Sequence, residues 1–402
     1  MVYSTIGTEI EYNLIDADGY IINNAKQILG DSRNDGSFVK EGTNAQIEIV
    51  SKPFGTIKEL HQDLLRQIKL LENICQDYSS QPIPLSEIGA GKGEFRGMEN
   101  NSINKGPIYM QLFGKELFEE LRAYSGIHLH LSQIPGKELE QFTILQALDP
   151  LSFAITSTSP ISYKGQNSLS CHRINSFRNN IFDKFPVHGQ LQPYPKSVEE
   201  IDQSNQERWQ QWHDYLMEKG FPTEVYKKLF SPDNTGYAPI RKRDHLGETG
   251  TFEVRSFDTT PLDVALSAFA LYKGINDRVM NNNAEIIFSS GPECYNFSDQ
   301  KIILPNYEEL KRLSQEAITE NNHTKEILKK ALEFAREGLI EEDQQYLKRL
   351  EDIADHGNNP ATEIMQFMRS QGYQGHQFSP EQVAKTNLFM RDRHLQSLEY
   401  LN

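Results

Sequence analysis

Cysteine is scarce in this chain of 402 residues. There are three, Cys75, Cys171 and Cys294, and they lie far apart. That spacing excludes a disulfide framework and a cysteine-built zinc site, and it suits a reducing cytoplasm. Positive charge is short as well: 41 Lys and Arg against 56 Asp and Glu leave a formal charge of −15. Such a balance excludes nucleic acid or an anionic membrane as the main partner, while a local site can still hold a phosphorylated small molecule. Long apolar runs are missing too. The most apolar late segment, PLDVALSAFALYKGI, carries Asp263 and is too short to span a bilayer. The start, MVYSTIGTEI, has no basic region followed by an apolar stretch, so no signal peptide is expected. No internal repeat or low-complexity tail is visible. The Gly-rich EIGAGKGEFRG departs from the phosphate-loop pattern G-x-x-x-x-G-K-[ST] and has no strand-to-helix frame. It reads as a loop or lid, in which Lys92 and Arg96 have little claim on a ligand.

What is present is a mixed order of strands and helices. TIGTEIEYNLID reads as a strand with its turn at Asp18-Gly19, and NAQIEIVSKPF as a second strand ended by Pro53. TIKELHQDLLRQIKLLENICQDY places Ile57, Leu60, Leu64, Leu65, Ile68 and Leu71 at helical spacing, with Thr56 as N-cap. SGIHLHLSQ alternates again, KELEQFTILQALDPLSFAITS reads as helix as far as the Pro150 region, and residues 159–206 read as long ordered loops. ETGTFEVRSFDTTP is another strand and LDVALSAFALYKGINDRVM another helix; from NYEELKRLSQEAI onward the chain is mostly helical. The expected division is a core over residues 1–300 and a helical C-terminal region over 301–402 packed on it.

Side chains alternate across a strand, so each strand can be split into two faces. Ile10, Tyr12 and Leu14 face away from Glu9, Glu11 and Asn13. Gln46 and Glu48 oppose Ile47 and Ile49; His128 and His130 oppose Ile127, Leu129 and Leu131; Glu253 and Arg255 oppose Phe252 and Val254. Four strands thus repeat one design, with an apolar face and a face of Glu, His and Arg. An ordinary solvated face would carry a loose mix of Lys, Thr, Ser and Glu, and these faces carry almost no Lys. The expected fold class is α+β: a curved, mainly antiparallel sheet with the acids on its concave face and helices on its convex face. Clustered carboxylates repel unless a cation neutralises them, and Mg²⁺ commonly pairs such carboxylates with nucleotide phosphates. Arg255 among the acids points to metal-bound phosphate rather than a bare metal.

The segments GTEIEYNLID, EGTNAQIEIVSKP, SGIHLHLS and GTFEVRSFDTTP, in this order, resemble the glutamate–cysteine ligase family. These are carboxylate–amine ligases with a glutamine synthetase-like active-site sheet. The resemblance covers roughly residues 5–275, and FEVRSFDTTP is its most specific piece. It implies a cytoplasmic enzyme of glutathione biosynthesis. ATP phosphorylates the γ-carboxylate of glutamate, and an amine, cysteine first, displaces phosphate from the γ-glutamyl phosphate. Glu9, Glu11, Glu41, Glu48, His128 and Glu253 match the family's metal-binding positions, with Mg²⁺ the implied ion and Mn²⁺ an alternative. His128, and with it His130 from the same face, match the nucleotide side. Glu253 and Arg255 match the catalytic pair, the arginine neutralising the transferring phosphoryl group. Arg173 or Arg178 is implied to hold the amino-acid carboxylate, Arg173 being nearer the family's position. Arg241 and Arg243 are offered as further nucleotide phosphate contacts, against the alternative of a solvated loop.

Other residues draw no role. Cys171 and both tryptophans, Trp209 and Trp212, read as packing, and His172 and His188 have no partner spacing. Partners are expected to be small molecules, with the chain a monomer or homodimer. Three further readings stay open: a γ-glutamyl ligase with another acceptor, a metal-dependent hydrolase, and a catalytically silent nucleotide-binding relative.

Overall fold

The computed structural model describes residues 3–93, 99, 105–291, 293–320 and 324–402. Its centre is a sheet of seven strands: β1 (Ile6–Ile15), β2 (Phe38–Lys40), β3 (Gln46–Val50), β4 (Gln81–Ile83), β5 (Gly126–Ser132), β6 (Ile240–Arg243) and β7 (Thr251–Asp258). They run in the order β2-β3-β1-β5-β7-β6, with β4 pairing the end of β1, and every pair is antiparallel. The α+β expectation of a mainly antiparallel sheet therefore holds.

The alternation expected from sequence sets the two faces. Ile10, Tyr12, Leu14, Ile47, Ile49, Ile127, Leu129, Leu131, Phe252, Val254 and Phe257 all join one apolar core. Helix Ile57–Asp77 lies in that core through Ile57, Leu60, Leu64, Ile68 and Leu71. Each such side chain, fully buried, contributes on the order of 2 kcal/mol. Its start is fixed by a capping box, Thr56 accepting from the Glu59 backbone while the Glu59 side chain reaches back. Helix Leu262–Asn282 is buried on nearly every side, packing the sheet on one flank and helix Thr324–Gly338 on another. The last contact is close because a Cβ on Gly338 would stand 1.9 Å from the Gly274 carbonyl oxygen.

The C-terminal helices share the sheet's core through Leu332, Ala335, Leu350, Ile353 and Leu398. A second, three-stranded sheet joins β8 (Glu285–Ser289), β9 (Asn296–Phe297) and β10 (Lys301–Pro305) in the order β8-β10-β9. A boundary at residue 300 falls between β9 and β10, inside this sheet. Among the described residues no helix is long and apolar enough to cross a membrane.

Two stretches differ from expectation. The region 159–206 is not all loop: a short helix, His172–Asn175, continues as a π-helical turn over Ser176–Ile181, and a long helix starts at Val198. That helix, Val198–Glu218, buries Ile201, Asn205, Arg208, Trp212 and Leu216. Two of the five are polar, which hides the apolar period. Helix continues past the Pro150 region too, as Asp149–Thr156, because proline sits in a first turn where no donor is needed.

Candidate active site

The polar face gathers the expected side chains by register. On β1, Glu11 pairs with Glu48 of β3, and Glu9 with His128 of β5. Further along, His130 pairs with Glu253 of β7, and Glu253 with Arg241 of β6. The β5–β7 register slips by one between Ile127 and Leu129. Val254 and Phe257 both enter the core, so Arg255 and Ser256 share the bulge between them. A bulge re-aims a side chain, and here Arg255 is turned beside Glu253.

The contacts are short. His128 Nδ1 lies 2.7 Å from Glu9 and 3.5 Å from Glu253, and its Nε2 lies 4.0 Å from Glu11. His130 Nε2 stands 3.6 Å from Glu9. Glu253 meets three arginines: Arg243 at 2.7 Å, Arg255 at 2.9 Å and Arg241 at 3.8 Å. Arg241 and Arg243 are thus drawn to the acids and do not form a solvated loop.

Environment divides the acids into two kinds. Burial opposes ionisation of Glu253, yet the charges of Arg255 and Arg241 outweigh it and hold the carboxyl below its usual range. Burial likewise opposes ionisation of Glu9, which is pulled down by His128 and His130. His128 is itself pushed down by burial and by Arg255, against the opposing pull of Glu9 and Glu253. Glu11, Glu41 and Glu48 go the other way. Burial, with Glu41 beside it, pushes Glu11 up to about 8. Burial and the neighbouring acids Glu41 and Glu9 raise Glu48 well above its usual value, and burial raises Glu41. These three acids have too little positive charge near them.

The arginines show the opposite shortage. Nε of Arg208, Arg241 and Arg243, and both Nε and Nη1 of Arg255, are buried without a hydrogen-bond partner. The Arg255–Glu253 contact at 2.9 Å is therefore charge against charge, not an aligned hydrogen bond. Arg208 was not legible as a site residue, since it lies in a Gln-rich helix. It sits 4 % exposed, and burial with the nearby Arg255 charge lowers it to about 10. A buried donor left unmade is costly, and three guanidinium groups on one carboxylate, with Arg208 near Arg255, suit an anion with several oxygens.

A cavity of about 640 Å³ opens beside this row, with Glu11, Glu41, His128, Arg173 and Arg255 along one side. Lys105 and Gln46 join them, and aromatic rings from helices Gly106–Leu121 and Val198–Glu218 and from the π-helical turn complete the lining. The two substrate arginines separate here. Arg173 lines the cavity, its guanidinium bonded to the carbonyls of Phe257 and Arg255 and to Asp258. Gly126 makes room for it, because a Cβ there would lie 2.2 Å from Nη2. Arg178 is turned away from the cavity and is spent on Asp149 and Ser314, both buried. The two lie five residues apart, which is about 140° of rotation at 3.6 residues per turn, so they leave the helix on different sides.

The remaining side chains are structural. Burial and Asp258 push the Cys171 thiol up to about 12, which leaves no thiolate. His172 is pushed down to about 4 by burial, and His188 stacks on Trp212 at 4.7 Å. Lys92 points to Asp16 at 3.5 Å, while Arg96 lies outside the described residues.

Residues 5–383 match the model of glutamate-cysteine ligase family 2 (GCS2). The chain belongs to this family. No curated protein matches it. Among solved structures it resembles a bifunctional glutathione synthetase from Pasteurella multocida, with TM-score 0.63 and 13 % identity over 98 % of this chain. The match covers 53 % of that protein, so the chain spans about half its length. It also resembles a glutamate–cysteine ligase from Francisella tularensis in complex with AMP, with TM-score 0.50 and 13 % identity over 100 % of this chain and 94 % of that one. At such identity these likenesses establish the fold alone.

Proposed function

We propose that the protein is an ATP- and Mg²⁺-dependent carboxylate–amine ligase that makes a γ-glutamyl amide. Cysteine is the acceptor that the family name carries. The observation that bears most weight is the ring of buried, unpartnered arginine donors around Glu253, next to a row of acids short of positive charge. A nucleotide phosphate with a divalent cation would satisfy both shortages at once.

The donor set fits such a cation. Glu9, His128 and Glu253, and separately Glu11, Glu48 and His128, bring one ligand atom each within 4.8 Å of one another. Carboxylate oxygens in majority suit Mg²⁺, or Mn²⁺ where the imidazole also ligates. Bound there, the ion would supply charge neutralisation of phosphate oxygens.

The chain's own residues would do the rest. Arg255, its Nε held against Glu253, would offer its unpaired Nη1 to the phosphoryl group as charge develops on it, with Arg241, Arg243 and Arg208 adding positive field. Glu253 keeps these arginines from repelling one another apart. The γ-carboxylate of glutamate would attack the terminal phosphorus of ATP, releasing ADP, and the amine would then displace phosphate from the acyl carbon. Lys105 and Arg173 line the cavity where the amino acid's own charges would sit. A hydrolytic metal pair would leave the unpaired arginine donors without a role.

The test is ADP release by the purified protein with Mg²⁺, ATP, L-glutamate and a panel of amines, with mass spectrometry of the product. Glutamate-dependent ADP release and a γ-glutamyl product are expected. Hydroxylamine in place of the amine should trap the acyl phosphate as a hydroxamate. ADP release indifferent to any amino acid, with no hydroxamate, would overturn the reading.

A further inference from the structure

The cavity is larger and more aromatic than glutamate and cysteine require. Its charged lining includes Glu11, His128, Arg173 and Arg255. Beside these stand the rings of Tyr109, Phe113, Phe118, Phe177, Phe182 and Trp212, with the Arg173 guanidinium 5.3 Å from the Phe177 ring. Glutamate has charged groups at both ends and finds its partners among the charged side chains. The cysteine side chain is one methylene and a thiol, too small to cover the parts of these rings that face the cavity. Water at an apolar wall lacks the polar partners that hold an ordered site, so a ring there gains both by contact and by displacing it.

The wall is also fixed in place. Phe113 packs edge-on against Phe182 at 5.5 Å and against Trp212 at 5.7 Å. Phe177 stacks on Tyr237 at 4.4 Å with the planes 5° apart. Phe113, Phe118, Phe177, Phe182 and Trp212 are each at most 7 % exposed. Rings locked by one another keep the cavity open without ligand, and a ligand then binds with little ordering cost.

We infer that the acceptor is a primary amine carrying an aromatic ring on a short linker, either an aromatic amino acid or the corresponding simple amine. This rests on the γ-glutamyl ligase reading. The ammonium loses one proton to solvent, its nitrogen attacks the γ-acyl carbon, and the C–N bond forms. The C–O bond to the phosphoryl group breaks, and phosphate leaves with the electron pair and takes the second proton from nitrogen, departing as hydrogenphosphate and leaving the amide with one N–H. The ring lies against the aromatic wall while the nitrogen points to the acid row.

Two measurements test the inference separately from the ligase reading. The first is ADP release with glutamate and, in turn, phenethylamine, L-phenylalanine and L-cysteine, with hydroxylamine as a small acceptor that needs no wall. The expected result is hydroxamate with hydroxylamine, and kcat/KM at least about tenfold higher for one aromatic acceptor than for cysteine. The better of the two identifies the source. Phe118→Leu, and separately Leu121→Trp to fill the cavity, should each lower the ratio of aromatic to cysteine kcat/KM. Hydroxamate formation with cysteine equal to or better than both aromatic acceptors overturns the inference and leaves the ligase reading standing. The second measurement is binding. The chain has two tryptophans, and Trp209→Phe leaves Trp212 as the sole reporter. Phenethylamine or L-phenylalanine should change Trp212 fluorescence at concentrations where cysteine does not. That change without any hydroxamate keeps the aromatic site and rejects the glutamate chemistry; no change with either ligand rejects the site.

Discussion

Replacing Arg173 by Ala should damage both stability and turnover. Arg173 is 3 % exposed and bridges three acceptors of β7: the Phe257 carbonyl at 3.1 Å, the Arg255 carbonyl at 3.1 Å and Asp258 at 3.3 Å. Asp258 is completely buried. Removing one partner of a buried ion pair costs about 3–5 kcal/mol, because the other charge is left behind. Two carbonyls also lose a donor, although water entering the vacated space would recover part of that loss. A destabilisation of about 3–5 kcal/mol is therefore expected in urea unfolding. Turnover should suffer because the lost bond to the Arg255 carbonyl is one that holds the bulge. A misplacement of about 1 Å near a reacting group can cost about 100-fold, so kcat should fall by about that factor while the KM for glutamate also rises. Arg173→Lys should resemble Ala, since one ammonium cannot bridge three acceptors in a plane. Gly126→Ala approaches the same bonds from the other side, its Cβ meeting Nη2 at 2.2 Å. Steady-state ADP release and urea unfolding on the three variants decide the matter. A loss of stability below about 1 kcal/mol, with a raised KM and unchanged kcat, would refute the reasoning and make Arg173 a substrate contact only.

Arg255→Lys should lower kcat by about 100- to 1000-fold with a smaller change in ATP affinity, because a point charge replaces a planar fork; steady-state kinetics check it. Glu253→Gln and Glu48→Gln should both stop turnover but shift metal-free stability in opposite directions. Glu253 neutralises three arginines, so its loss destabilises, whereas Glu48 is crowded by acids, so its loss is neutral or stabilising; thermal unfolding in EDTA separates the two. His188 is fully buried and pushed down to about 3 by burial and by Arg208. Its folded value lies below its unfolded one, so its contribution is present above about 6.5 and is lost as pH falls towards 3. The slope is on the order of 1 kcal/mol per pH unit, and His188→Phe should flatten it in unfolding measured between pH 7 and pH 4.

How much of this was legible in the sequence depends on the range over which a signal acts. Strand alternation is local, so Glu9, Glu11, Glu48, His128 and Glu253 could be placed on one face before any strand pairing was known. Arg255 could be read as a site residue but not as a bulged one, because FEVRSF alternates as if the strand were regular; the slip is visible only against β5. Arg178 and Arg173 are five residues apart and equivalent by composition, and only the structure shows that one meets Asp149 while the other lines the cavity. The aromatic wall was illegible for a different reason. Its rings come from segments far apart in sequence, and Phe177 and Phe182 lie in a stretch whose polar neighbours made it read as loop.

The division among the acids follows from the same distinction. By residue type the acids read as a single set of candidate metal ligands, yet the cations that distinguish them arrive from β6 and from the bulge of β7. Glu253 lies opposite Arg241 on β6 and close to Arg255 on its own strand, and it stays ionised at the centre of a cationic cluster. Glu11 lies opposite Glu48 on β3 with Glu41 nearby, and it is raised to about 8. The site therefore has an anion-seeking half and a cation-seeking half, joined at His128, which touches Glu9 and Glu253 through one nitrogen and approaches Glu11 with the other. A metal–nucleotide complex has the same polarity, with its cation on one side and its phosphate oxygens on the other. Neither half alone argues for phosphoryl transfer, since acids can hold a bare metal and arginines can hold a carboxylate. Their placement on adjoining strands of one sheet face, with a shared histidine between them, is what supports the proposal of a single reaction centre.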